Sequence, residues 1–261
     1  MKRHDVARAS SIARFLLLLV ILPLFVTGCG HKEARVTVPP PPVVPPAPGE
    51  NTASNPAKTP TSEENEADLA EPTIPAGATP LATEIGRASW YGPPYHNRRG
   101  SNGEVYNMHA MTAAHRTLPL ASIVRVTNLK TGHTAVVRIT DRGPFIPGRV
   151  LDLSLAAARK LDVYLPGTAE VKIEVMQAPS PLDTGGKWAV QIGGFPKAEE
   201  AAKLADHLQR RYRTAQVLRF ASPAGGWWVR VRVLDDDRRR AQQLVAETET
   251  TEGAVFLVRL D

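Results

Sequence analysis

Between residues 86 and 177 apolar and polar positions alternate in short runs, separated by glycine, proline and asparagine. Residues 87–91, 123–127, 135–140 and 171–175 each carry a two-residue period or a β-branched stretch, which predicts strands. Residues 128–133 join the second run to the third as a hairpin turn. One short helix is predicted at 155–161, with Ser154 as its N-cap. Several short strands with one short helix predict a small closed all-β barrel.

After residue 186 the period changes. Strand patterns at 188–192, 217–220, 227–233 and 255–260 enclose helical patterns at 197–212 and 237–247. The order β-α-β-β-α-β predicts a four-stranded antiparallel sheet with both helices on one face, an α+β domain. Alternation sorts the two faces. Val190 and Ile192 lie under the helices with Val229, Val231 and Val233, so Gln191, Trp228, Arg230 and Arg232 point to the other face. Trp188 and Trp227 have core parity.

The first 85 residues follow neither pattern. Lys2, Arg3, Arg8 and Arg14 precede an apolar run at 15–26, too short and wrongly flanked for a stable membrane span, so residues 1–28 read as an export signal. The chain has one cysteine, Cys29, which can form no internal disulfide. Val26-Thr27-Gly28-Cys29 resembles the lipobox of bacterial lipoproteins, which implies lipid attachment at Cys29. Gly30 after the cysteine favours the outer membrane over the inner one by the sorting rules of that class. Residues 29–85 are rich in proline, threonine and glutamate and are expected to form a disordered linker. Where extended, such a chain gains about 3.1 Å per residue, enough to hold a domain on the order of 100 Å from its anchor. The expected organisation is therefore signal 1–28, linker 29–85, barrel 86–177, connector 178–185 and α+β domain 186–261.

The net charge of +6 hides an uneven distribution. Residues 86–176 hold 12 basic against 6 acidic residues and residues 186–261 hold 13 against 10, whereas the linker holds 3 against 8. Basic folded domains point to an anionic polymer or surface. Export argues against nucleic acid, although the strand and helix order is also that of an RNA-recognition module. The cell wall, with a lactyl carboxylate on each muramic acid once the peptides are gone, is the preferred partner. A metal site is unsupported, with no second cysteine and no His-x-x-x-His pair, and no cofactor is implied.

Three candidate residues sit in turn-rich stretches beside strands: Glu104 in Ser101-Asn102-Gly103-Glu104, His115 in Thr112-Ala113-Ala114-His115, and Asp141 in Thr140-Asp141-Arg142-Gly143-Pro144. Two carboxylates and a histidine suffice for acid/base chemistry on a glycosidic bond. Each also has a plainer reading. Asp141 is an ordinary turn former, Glu104 a solvated turn residue, and His115 a polar surface residue.

Gly86-Arg87-Ala88-Ser89-Trp90-Tyr91-Gly92, Asn102-Gly103-Glu104, Met111 to Pro119, Asp141-Arg142-Gly143-Pro144-Phe145 and Leu151-Asp152-Leu153-Ser154 together resemble the rare lipoprotein A family. That resemblance implies a double-psi β-barrel and septal-ring lytic transglycosylase activity on peptidoglycan. It places the family's functional residues on Glu104, His115 and Asp141, with Asp141 as acid/base, Glu104 as the second carboxylate and His115 bonding a carboxylate or the substrate. Asn97 and Gly100-Ser101 depart from the family's more usual glycine and Thr-Ala. Val190-Gln191-Ile192-Gly193-Gly194-Phe195 resembles the SPOR domain, which implies binding of peptide-free glycan strands through Gln191, Trp228 and Arg230, and enrichment at the division septum. Leu234-Asp235-Asp236 stands where Gly-Pro-Phe often follows. Some barrels of this shape bind polysaccharide without cleaving it, so a non-catalytic wall-binding lipoprotein is the alternative.

Overall fold

The structure is a computed structural model, and it describes residues 69–220, 222, 225–250 and 253–261. The expected export signal, Cys29 and most of the expected linker lie outside the described residues.

Six strands close the barrel: β1 Ala82–Trp90, β2 Thr112–His115, β3 Ile123–Asn128, β4 Thr134–Asp141, β5 Arg149–Leu153 and β6 Thr168–Gln177. Around it they run in the order β1-β5-β2-β4-β3-β6. The pairs β1/β5 and β2/β4 are parallel and the others antiparallel, giving the interleaved double-psi arrangement. Alternation on β3 and β4 sends Val124, Val126, Ala135, Val137 and Ile139 inward, where they meet Leu151, Leu153, Val171, Ile173 and Val175. A buried aliphatic side chain of this size contributes about 1.5–3 kcal/mol, so this interior supplies the barrel's main driving force.

Strands β2 and β5 were not among the predicted ones. All four residues of β2 are buried and two are alanine, so no alternation marks it. The linker also ends earlier than expected. Residues 82–85 belong to β1 and pair with β6, from Ala82 opposite Val175 to Ile85 opposite Lys172. Glu71 accepts a hydrogen bond from the Val136 amide and pairs with Lys160 at 2.8 Å, which fastens the end of the linker to the barrel wall.

Helix α1, Leu155–Lys160, starts where expected. Ser154 caps it by accepting from the Ala157 amide, and the same hydroxyl donates to the Ala110 carbonyl at 2.6 Å. One serine thus sets the start of the helix and ties it to residues 107–111.

The C-terminal domain has β7 Trp188–Phe195, α2 Ala198–Gln209, β8 Gln216–Arg219, β9 Trp227–Arg232, α3 Arg238–Glu247 and β10 Ala254–Arg259. The antiparallel sheet runs β10-β7-β9-β8. Asp237 caps α3 through the amides of Arg239 and Arg240. Ala201, Ala205, Ala241 and Leu244 pack on Trp188, Val190, Ile192, Val229 and Val231, so both helices cover one face, as the alternation predicts.

Candidate active site

One cleft opens beside the barrel, lined by Gly100, Asn102, Glu104, Tyr106, Thr112, Arg138, Thr140 and Asp141 among others. It therefore brings together two of the three candidates, Glu104 and Asp141, from segments 37 residues apart. Asp141 is the last residue of β4, where a bulge in the β2/β4 pairing sets Ala114 opposite it. Glu104 comes from the loop 96–107, whose backbone folds on itself through Asn97 N–H to the Tyr106 carbonyl and Gly100 N–H to the Glu104 carbonyl.

The two carboxylates are held differently. Three donors converge on Asp141 Oδ1: the Ser101 amide at 2.9 Å, the Ser101 hydroxyl at 2.5 Å and the Arg142 amide at 2.7 Å. Among the described residues no hydrogen bond reaches Oδ2. Glu104 faces Arg138 through both oxygens, Oε1 to Nη1 at 3.2 Å and Oε2 to Nη2 at 3.0 Å. Partial burial pushes the Glu104 carboxyl up, but the hydrogen bonds and charge of Arg138, with a bond from Asn102, outweigh it and hold the group below its ordinary range. Glu104 is thus ionised at neutral pH. The cleft also contains the buried Thr112 hydroxyl, which has no hydrogen-bond partner among the described residues.

His115 lies elsewhere. It is 3 % exposed and does not line the cleft. Its Nδ1 accepts from the amides of Thr117 (3.2 Å) and Leu118 (3.0 Å), which leaves Nε2–H to donate to Glu84 at 3.2 Å. Burial lowers the imidazole's pKa against the opposing pull of Glu84, and the His115 hydrogen bond in turn holds the Glu84 carboxyl low. Neutral histidine with ionised glutamate satisfies both shifts. The carboxylate that His115 bonds is that of Glu84, outside the cleft that holds Glu104 and Asp141, and its enclosed ring does not line that cleft.

His115→Ala would leave two amides and a carboxylate without their partner. At about 1–3 kcal/mol for each unsatisfied buried group, partly relieved by water, the expected loss is about 3 kcal/mol of stability, read from denaturant unfolding. An unchanged unfolding midpoint with activity lost would instead place His115 in the chemistry. The linkage has a definite sign. The fold holds His115 neutral, so its contribution is whole above the ordinary histidine value of 6.5 and is lost as pH falls below it.

Three participants were not singled out from sequence: Ser101, Arg138 and Glu84. Arg138 was accessible in principle, since the period of β4 turns it away from the interior with Thr140. Ser101 appeared in the stretch carrying Glu104 and as a departure from the family pattern, not as a partner of Asp141, and Glu84 fell inside the expected linker.

The second candidate surface needs a correction. Gln191, Trp228 and Arg230 do share the sheet face away from the helices, but that face is not open. Gln191 and Trp228 are both 0 % exposed and Arg230 is half-buried. Arg230 donates to Gln191 Oε1 through Nε at 3.2 Å and Nη2 at 2.8 Å. Trp228 packs with Phe220, Phe256 and, from the barrel, Phe145. Parity set the side, and Phe220, Phe256 and the barrel's Phe145 supplied the cover.

Residues 83–173 match the family model described as lytic transglycolase, and residues 184–257 match that of the SPOR domain. Over 139 residues the chain is 57 % identical to the endolytic peptidoglycan transglycosylase RlpA of Pseudomonas aeruginosa strain UCBPP-PA14, covering 53 % of this chain and 41 % of that protein. It is 46 % identical over 133 residues to the protein of the same name from Vibrio cholerae, covering 48 % and 51 %. The Campylobacter jejuni protein of that name is 38 % identical over 168 residues, covering 55 % and 61 %. The chain spans about half the length of the curated relatives it matches.

Proposed function

Because this chain belongs to the rare lipoprotein A family, we propose that it is an endolytic lytic transglycosylase of peptidoglycan. It cuts the β-1,4 bond between N-acetylmuramic acid and N-acetylglucosamine in strands lacking stem peptides. The observation that carries this is the cleft, where Glu104 is ionised beside Arg138 and Asp141 is held through three bonds to Oδ1.

Asp141 gives a proton from Oδ2 to the glycosidic oxygen as the C1–O4 bond breaks. The C6 hydroxyl of the muramic acid then closes on C1, and its proton returns to Asp141. No water is consumed, and the product is a 1,6-anhydro end. Glu104 supplies negative charge toward the oxocarbenium-like carbon, while Arg138 fixes its orientation. The polar contacts of Ser101 keep the acid from rotating.

One observation favours the non-catalytic alternative. The three donors on Asp141 Oδ1 are also what a turn-capping aspartate collects. Mass spectrometry of strand ends after incubation with the purified chain separates the readings. Anhydro ends are expected. Ends carrying added water would mean a hydrolase, and uncut strands would leave a binding protein.

The lipid anchor on Cys29, the periplasmic face of the outer membrane and enrichment at the division septum complete the reading. They are supported by the lipobox-like residues 26–29 and by the SPOR domain. Radiolabelled palmitate incorporation, lost in Cys29→Ala, is the direct check on the anchor.

A further inference from the structure

The sheet face expected to take glycan is already occupied by a piece of the barrel. Phe145, four residues after Asp141, places its ring 5.5 Å from Trp228, 5.7 Å from Phe220 and 5.8 Å from Phe256. Phe220 stacks on Trp228 at 5.1 Å and 11°, whereas Phe145 meets it at 54°. Polar bonds hold the same seam. Arg142, beside Asp141, donates across the seam to the Asp261 carbonyl and, within the barrel, to those of His115 and Leu118. The Arg259 amide donates to the Arg116 carbonyl, and the Arg116 guanidinium lies over the Phe256 ring.

Among the described residues this packing leaves two buried groups without a hydrogen-bond partner, Arg142 Nε and Gln191 Nε2. Gln191 is fully buried and its Nε2 has no partner, although its Oε1 is used by Arg230. A buried amide donor without an acceptor is destabilising. Gln191 pairs across the sheet with Arg230 on one side and Phe256 on the other, the latter being a ring that Phe145 touches. A muramic acid unit presents hydroxyl acceptors for Gln191 Nε2 and a lactyl carboxylate for Arg230, whereas Arg232 is already paired with Asp236 and the indole is already stacked by Phe220.

We infer that Phe145 and peptide-free glycan are mutually exclusive occupants of the Gln191–Trp228–Arg230 face, so that glycan capture there displaces Phe145 and frees the turn bearing Asp141 and Arg142. This rests on the proposed glycan binding by the SPOR domain. The docked barrel acts as a tethered competitor, and apparent affinity is reduced by the fraction of chains that are closed.

The test uses the full chain with Glu104→Gln throughout, so that strands stay intact, and reads glycan affinity by titration. Phe145→Ser is expected to tighten binding by about tenfold, the gain anticipated where roughly nine chains in ten are closed. Adding Trp228→Ala is expected to abolish that gain. Without Phe145→Ser, saturating glycan is expected to speed amide exchange at Phe145 and Ile146, which keeps the test sound should the serine variant fold poorly. Equal affinity with serine at 145, unchanged exchange, and binding still lost in Trp228→Ala would overturn the competition while leaving glycan binding in place. Binding indifferent to Trp228→Ala in either background would remove this face as a glycan site, and the inference with it.

Discussion

Asparagine at position 141 is expected to slow strand cleavage by about 10²- to 10⁴-fold, the range for losing a general acid/base, while the fold is kept. The reasoning lies in the three bonds to Oδ1. An asparagine carbonyl can still accept from the Ser101 amide, the Ser101 hydroxyl and the Arg142 amide. The turn therefore survives, and only the oxygen that carries the proton is replaced by an amide nitrogen. Asp141→Ala is a different experiment. It removes the cap as well, leaves donors unmet, and is expected to cost about 1–3 kcal/mol of stability in addition to activity. Measuring rate and unfolding midpoint on both variants separates the capping role from the chemical one. Full activity in the asparagine variant would show that Asp141 is a turn former alone, and would return the chain to the wall-binding alternative.

How far the sequence reveals this arrangement depends on the distance over which each feature is decided. Strands β3, β4 and β6 carry their own alternation, because one side of each faces a dry interior, and they are legible. Strand β2 is buried throughout and short, so its sequence has no contrast to read. Residues 82–85 look like linker because all four are exposed, and only backbone bonds to β6 make them a strand. The same division runs through the sites. Glu104 and Asp141 stand out because turns set beside β runs place polar groups at a sheet's edge. Arg138 as the partner of Glu104, and Ser101 as the partner of Asp141, depend on loop 96–107 folding over β4, which no local pattern announces. Trp228 is the clearest case. Its parity follows from Val229 and Val231, but its full burial depends on Phe220 and Phe256 of its own domain together with Phe145 of the barrel.

Replacing Arg138 with methionine is expected to move the acid limb of the pH–rate profile upward and to lower kcat. In the intact cleft Arg138 overcomes the effect of burial and holds the Glu104 carboxyl below its ordinary value of 4.5. If the ionised carboxylate is the working form, activity is retained as pH falls until that lowered value is reached. Methionine keeps the volume of the arginine stem but removes its charge and donors. Burial is then opposed only by Asn102, the carboxyl titrates at higher pH, and activity fails earlier on acidification. Glu104→Gln gives the limiting case, because a neutral amide offers no charge to the oxocarbenium-like carbon at any pH. Losing a preorganised electrostatic contact of this kind costs about 10²- to 10³-fold in kcat, so this variant should be slow across the whole range and should lack the acid limb altogether. The pair of profiles tests the assignment from both sides. An acid limb unmoved in Arg138→Met, together with a normal rate in Glu104→Gln, would mean that Glu104 is a solvated turn residue and that Asp141 works without a second carboxylate.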